Sequence, residues 1–260
     1  MRLKLTVEYA GTRYSGWQIQ QNARTVQGEI DRAVRTVTAV DRFELYGSGR
    51  TDAGVHALAQ VAHLDIASTM PADLLRRRLN ETLPTDIQVL RIEPVRHRFH
   101  ARHDAVGRSY LYLVSRRRTS FAKPFVWWVK EDLDVPAMAK AANGFVGFHD
   151  FRAFTDDDPE RTSTLVQVDS FSVHEDEDLI VAHIEGSHFL WKMVRRLVGV
   201  LVEVGRGGLR VQDAHAFLGG TSPRPATLTA PASGLFLERV YYEGDPRDQD
   251  VRAPIHVARG

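Results

Sequence analysis

The sequence predicts an α+β protein of two similar halves with mostly antiparallel sheets, in which helices cover one sheet face and leave the other for a ligand. Three observations carry that expectation. The chain is 260 residues long, enough for one large domain or two modest ones. The order strand, helix, strands, helix, strand runs along it twice. No low-complexity tract or exact internal repeat breaks the pattern. The junction is expected near 104–108 or in 116–124, where Arg116, Arg117, Arg118, Lys123 and Pro124 interrupt the periodicity. Placed at the first of these, the halves are 1–104 and 105–260.

Arg2–Tyr9 alternates like a half-buried strand. Thr25–Val40 puts Val26, Ile30, Val34 and Val37 at helical spacing, with Thr25 as N-cap. Phe43–Tyr46 and Gln60–Ile66 read as strands on either side of a glycine-rich loop. Pro71–Leu83 reads as a helix with proline in its first turn and a basic face of Arg76, Arg77 and Arg78. Asp86–Glu93 and Arg108–Ser115 are further strands. In the second half Pro136–Phe145 is a helix, and Thr162–Val173 with Leu179–Glu185 forms a hairpin turning at Glu175–Asp178. Phe189–Val204 is a long apolar helix, Val211–Leu218 a short one, and Leu235–Tyr242 the last strand.

Composition narrows the chemistry. The chain is 43% hydrophobic and 26% charged, which suits a soluble globular protein that buries a large core without staples. It has no cysteine, which excludes disulfides, thiolate metal sites and a cysteine nucleophile. No apolar run reaches membrane-spanning length, and MRLKLTVEYAG alternates where a signal peptide would be uniformly apolar. The expected address is cytoplasmic, with no membrane partner. Net charge is only +1, yet residues 76–130 carry 13 basic and 4 acidic side chains while 131–190 carry 3 and 14. A basic block with its own acidic counterweight suits a polyanion site on a protein that is not basic overall. Arginine supplies 29 of the 34 basic residues, which favours phosphate contacts, although coding bias produces the same ratio.

The strongest local feature is Gly47-Ser48-Gly49-Arg50-Thr51-Asp52-Ala53-Gly54-Val55-His56-Ala57. Three glycines in eight residues between two strands demand unusual backbone angles or close approach by another molecule. Arg50, Asp52 and His56 offer a cation, a carboxylate and an imidazole there, or Asp52 merely caps a turn. Neither phosphate-loop pattern is present. His97-Arg98-Phe99-His100-Ala101-Arg102-His103 spaces histidines three apart, but the interleaved arginines oppose metal loading, so a basic surface or a core strand competes with a metal site. The interleaving of rings and cations over 96–118, with Tyr110 and Tyr112, suits nucleic acid, or else those tyrosines fill a core. In Phe189–Gly199, Arg195 and Arg196 interrupt an apolar helix. A buried arginine must find a carboxylate or a ligand, unless one of the pair snorkels to solvent. The acidic runs Asp156–Asp158 and Glu175–Asp178 are expected on solvated loops, with magnesium binding as the alternative.

Taken together, these blocks resemble the tRNA pseudouridine synthase A family over nearly the whole chain. The resemblance rests on Gly49-Arg50-Thr51-Asp52-Ala53-Gly54-Val55-His56-Ala57, joined by Gly16-Trp17-Gln18, Thr25-Val26-Gln27, Leu83-Pro84 and Asp86-Ile87. Phe99-His100-Ala101-Arg102, Arg108-Ser109-Tyr110-Leu111-Tyr112, Gly147-Phe148-His149-Asp150-Phe151, Met193-Val194-Arg195 and Ala230-Pro231 through Gly234-Leu235 follow in order. It implies isomerisation of uridine to pseudouridine at positions 38, 39 and 40 in the anticodon stem-loop of tRNA, by a homodimer that uses no cofactor and no metal. It also implies an active-site cleft between the halves. By resemblance Asp52 is the catalytic nucleophile or base, Arg195 its basic partner, Tyr110 the ring that contacts the target base, and Arg50 a residue that helps displace the nucleotide. Arg76, Arg77 and Arg78 are expected to bind the RNA backbone. Two departures, Tyr14-Ser15 before Gly16 and Arg196 after Arg195, are expected to alter RNA contacts. A non-catalytic RNA-binding module and a metal-dependent RNA hydrolase using His97, His100 and His103 are the competing readings. The tail after Glu243 matches nothing in the family pattern.

Overall fold

A computed structural model describes residues 1–247 and 251–257. It is a mixed α/β structure with mostly antiparallel pairing, as the periodicity predicts. The chain forms two compact units, 1–106 with 236–245, and 107–235 with 246–260.

In the first unit, β1 (Arg2–Tyr9) buries Leu3, Leu5, Val7 and Tyr9 on one face and turns Lys4 and Thr6 to the other. That alternation is the direct product of the two-residue strand period. β1 pairs antiparallel with β3 (His56–Ile66), Leu5 opposite Ala62, and with β4 (Ile87–Pro94), Leu5 opposite Ile92. β2 (Phe43–Gly47) takes the far half of β3's other edge, with Leu45 opposite Leu64. α1 (Val26–Thr38) begins where expected: the Thr25 hydroxyl accepts the Gly28 N–H at 3.2 Å. It buries Val26, Ile30 and Val34, while α2 (Ala72–Thr82) buries Leu75 and Leu79. The Asn80 amide clamps both backbone groups of Val89, at 2.8 and 2.9 Å, and so ties α2 to β4.

The second unit is built on β5 (Ala105–Ser115), β9 (Leu179–Gly186), β8 (Leu165–Asp176) and β7 (Gly147–Asp150), neighbours in that order and all antiparallel. β6 (Trp127–Trp128) adds a short parallel pair to β5. β9 is buried along its entire length, as befits a central strand covered on both faces. α3 (Val135–Asn143) packs on β8 and on α4 (Met193–Gly205), which buries eleven of its thirteen residues. α5 (Val211–His215) and α6 (Arg224–Thr227) are single turns near α4. The last strand, β10 (Leu235–Tyr242), runs parallel to β3 with Phe236 opposite His56, so chain order and spatial grouping differ at the C-terminal end.

Three details depart from the periodicity. β3 begins four residues earlier than Gln60. Phe189–Lys192 is a turn, not the first turn of α4, because Lys192 takes a left-handed conformation (φ 62°). β6, β7 and α6 are two to four residues long, too short for any period to register.

Candidate active site

The loop between β2 and β3 carries Arg50 and Asp52, and other segments of the first unit grip its backbone. Trp17 N–H donates to the Thr51 carbonyl at 3.1 Å, and Gly54 N–H to the Tyr14 carbonyl at 3.3 Å. Val26 and Gln27 N–H groups return to Gly16 and Trp17 at 3.1 and 3.0 Å, linking the clamp to the start of α1. Gly16 is irreplaceable at this contact: its φ is +89° and a β-carbon there would stand 2.4 Å from the Thr51 carbonyl oxygen. Beneath the loop, Tyr9 and Thr51 hydroxyls share a buried bond of 2.8 Å, and Ser48 donates to Gln60 at 2.7 Å. Gln60 in turn donates to the Gly49 carbonyl at 3.1 Å. The Val55 N–H closes on the Asp52 carbonyl at 3.2 Å, a turn that Gly54 (φ 80°) completes. His56, fully buried, accepts the Gly11 N–H at 3.0 Å and stacks on Phe236. His56 therefore holds the base of the loop.

The result is a rigid main chain that presents two side chains. Asp52 is half-buried and Arg50 exposed. The upstream blocks Gly16-Trp17-Gln18 and Thr25-Val26-Gln27 have a physical reason in this clamp. Leu83-Pro84 with Asp86-Ile87 has one too, since the Asp86 carboxylate accepts the Tyr14 hydroxyl. Tyr14 is accordingly a buried packing residue, with Arg24 over its ring at 4.9 Å. Ser15 donates its N–H to the Arg24 carbonyl at 2.8 Å. Tyr14 is thus held inside the first unit, while Ser15 is exposed.

In the second unit, Tyr110 and Tyr112 separate cleanly. Tyr112 is core: 1% exposed, its hydroxyl donates to the Pro231 carbonyl at 2.8 Å, and burial pushes its pKa far above the phenol range. Tyr110 is half-buried, with Phe189 edge-on at 5.2 Å. Arg195 sits in the first turn of α4. Its Nε donates to the Ala230 carbonyl at 2.7 Å while Ala230 N–H returns to the Arg195 carbonyl at 3.0 Å, which gives the Ala230-Pro231 block its role.

The residue after it behaves differently. Arg196 is 4% exposed and pairs with Asp156, which also accepts Lys192 Nζ at 2.8 Å. Those cations hold the Asp156 carboxyl below its ordinary range, Lys192 contributing most. Asp157 accepts the Trp191 N–H at 3.0 Å. The acidic run lies on a loop with Asp156 and Asp158 exposed, as expected, and through Asp156 and Asp157 it also clasps the start of α4, with Arg196 in the clasp. Sequence reasoning missed this pair, although both halves of the signal were present: a buried arginine needing an acid, and an acidic run without a purpose. The second acidic run is also committed, since Glu175 pairs with Arg116 and Asp178 with Arg117, the latter at 3.0 Å. Part of the basic block is therefore spent inside the protein. Arg76 is half-buried and Arg77 and Arg78 exposed on α2, apart from those pairs. Among the described residues no group of three metal-ligating side chains forms; His100 packs on His103 with ring centres 4.2 Å apart, and His97 lies 3.4 Å from the Asp65 carboxylate.

Compared with known proteins, the chain matches the family described as tRNA pseudouridine synthase over residues 5–104 and 141–243. It is 36% identical over 244 residues to tRNA pseudouridine synthase A 2 of Clostridium tetani, covering 92% of this chain and 98% of that protein. It is 38% identical over 242 residues to tRNA pseudouridine synthase A of Acetivibrio thermocellus, covering 92% and 99%. The enzyme of the same name from Ruminiclostridium cellulolyticum is 39% identical over 244 residues, covering 93% and 99%. With the clamped Gly49–Ala57 loop at the centre of the first matched span, this chain belongs to the tRNA pseudouridine synthase family, enzymes that isomerise uridine to pseudouridine in tRNA.

Proposed function

We propose that this enzyme acts on uridines 38, 39 and 40 in the anticodon stem-loop, with Asp52 as its nucleophile or base. The observation that carries the reading is the Asp52 loop itself. A loop held by at least six hydrogen bonds, four of them to its main chain, carries one half-buried carboxylate, two residues from an exposed arginine, in the most specific block of the family resemblance. The chemistry asks for little more. The N1–C1′ bond breaks, the base turns, and C5 joins C1′; nothing is oxidised and no group is imported, so neither cofactor nor metal is required. The carboxylate must be ionised to attack or to abstract a proton. Arg195, its basic partner by resemblance, favours that form. Taking the base out of the stem costs a few kcal/mol. Stacking against Tyr110 returns on the order of 1–3 kcal/mol, and Arg50 helps displace the nucleotide. Arg76, Arg77 and Arg78 bind backbone phosphates, which makes affinity salt-dependent. We further propose a cytoplasmic homodimer, and two halves, 1–104 with Asp52 and 105–260 with Tyr110 and Arg195.

The test incubates wild type, Asp52→Ala and Arg195→Ala with unmodified tRNA and maps pseudouridine by carbodiimide-dependent reverse-transcription stops. Stops at 38–40 with wild type, none with Asp52→Ala at unchanged tRNA affinity, and a rate loss without an affinity loss for Arg195→Ala are the expected results. Full activity of Asp52→Ala would remove that residue from the chemistry.

A further inference from the structure

The histidine–arginine run that the sequence singles out is used by nothing in the reading above, yet the fold holds it with unusual care. It follows β4 and returns under β3. Ala101 N–H donates to the buried Nδ1 of His63 at 3.1 Å, and the Tyr242 hydroxyl donates to the Ala101 carbonyl at 2.7 Å. Arg2 donates to the Phe99 carbonyl at 2.9 Å, and Phe99 packs on Tyr242 at 5.2 Å between ring centres. Tyr46, His63, His100 and, at the exposed end, His103 form a continuous run of rings, with successive centres 4.2 to 5.9 Å apart. His100 Nδ1 accepts the N–H groups of both Arg102 and His103 at 3.2 Å. Each of these bonds fixes backbone and leaves the intervening long side chains outside.

Those outer side chains are of one kind. Arg96, His97, Arg98, Arg102 and His103 are all exposed. The neighbouring acids are already engaged: Glu93 with Arg91, Asp65 with Arg2 and His97, Asp104 with the His100 N–H. Among the described residues Arg96 and Arg98 enter no ion pair. The contrast with Arg116 and Arg117, each paired with an acid, is direct. A loop ordered by buried bonds to present unpaired guanidinium groups loses little conformational entropy when an anion arrives. Guanidinium forks suit phosphate oxygens, and a ring at the end of a stack suits a nucleic-acid face.

Its position says which part of the RNA it meets. The loop is moored at His63, seven residues along β3 from His56 and the Asp52 loop, a span of about 23 Å of strand. We infer that the 96–103 loop is a second RNA-binding site, which grips the phosphate backbone of the tRNA body beyond the stem that carries the target uridine. This rests on tRNA being the substrate and not on which uridine is modified.

The experiment compares wild type with Arg96→Ala/Arg98→Ala, two exposed positions whose change leaves the mooring bonds intact. Affinity for full-length unmodified tRNA and for an isolated anticodon stem-loop is measured by filter binding at several salt concentrations, together with single-turnover pseudouridine formation at saturating RNA. The expected result is a loss of roughly fivefold or more in affinity for whole tRNA, with the log–log salt slope reduced by about 1.5–2. Affinity for the stem-loop and the saturated rate should stay at wild-type values. Unchanged affinity and slope for whole tRNA would overturn the site. An equal loss on the stem-loop would overturn its placement on the tRNA body. If wild type forms no pseudouridine, the reading of function fails while the binding comparison still decides this one.

Discussion

The loop that carries Asp52 and the segment that leads into Arg195 are both tightly held, but by different forces. Main-chain hydrogen bonds and close glycine packing restrain the first, from Thr51 to Trp17 and Gly16 and from Gly54 to Tyr14. Ion pairs dominate at the second, where Asp156 gathers Lys192 and Arg196 around the beginning of α4. Backbone bonds do not titrate and are only weakly affected by salt; ion pairs respond to both. Here the loop that carries Asp52 depends on shape, whereas the helix start that carries Arg195 depends on charge. Three measurements put that contrast to the test.

The largest effect is expected from shape. Gly16→Ala drives a β-carbon into the Thr51 carbonyl at a left-handed φ, and should cost about 3 kcal/mol, a fall in Tm on the order of 10 °C. It should also slow pseudouridine formation by displacing the loop. Gly49→Ala is the control inside the same loop. Nothing lies within 4 Å of the added carbon, so stability should change by no more than about 0.5 kcal/mol. Equal losses from the two glycines, measured by thermal melts, would show that the clamp is not what restrains this loop.

Charge comes next. Asp156→Asn strands the buried Arg196 guanidinium, whose Nε already lacks a hydrogen-bond partner. Losing one member of a fully buried pair costs about 3–5 kcal/mol; Asp156 is 37% exposed, so about 2 kcal/mol is expected here. Arg196→Met in the same background removes the stranded charge and should recover most of that loss. A double variant as unstable as Asp156→Asn would mean that the carboxylate holds the helix start by something other than this pair.

The smallest effect separates the two units by pH. Burial lowers the His63 pKa, so the folded state favours the neutral ring whose Nδ1 accepts from Ala101. The unfolded chain takes up its proton near the ordinary value of about 6.5. The contribution is therefore complete above that value and is lost as pH falls through the lowered folded one. Asp156 moves the same way from a lower start: its contribution persists until pH drops below the ordinary carboxylate value of about 4. Between pH 7 and 5, hydrogen-exchange protection should fall at the Ala101 amide and hold at the Trp191 amide, which donates to Asp157. Parallel decline at both amides would erase the distinction.

Much of this architecture is legible in the chain because it follows from local rules. The alternation of Arg2–Tyr9, the Thr25 cap, and the apolar spacing of Val26, Ile30 and Val34 each translate directly into structure. The glycine spacing in 47–54 marks a loop under close approach, and Gly16 shows what approaches. Other features are silent in any local window. The departure of Lys192 into a left-handed conformation shortens α4 at its start, yet Phe189–Lys192 is apolar enough to continue a helix. Tyr110 and Tyr112 share a side of β5 by strand period, so what separates them is what packs over each along the strand, which no local window states. Tyr112 is taken up by Pro231, 119 residues away.

The longer strands and helices, the family and the loop that presents Asp52 are legible in the sequence alone, since each is carried by short blocks of neighbouring residues. Which arginines find an acid among the described residues, and which do not, is settled by the tertiary structure. Arg196, Arg116 and Arg117 look no different from Arg96 and Arg98 in a list of basic residues. Asp156, Glu175 and Asp178 reach the first three across 40, 59 and 61 residues of chain, and among the described residues no acid reaches the other two. A charge is available or spent according to what lies within about 4 Å of it, and that distance is set by folding, not by order along the chain.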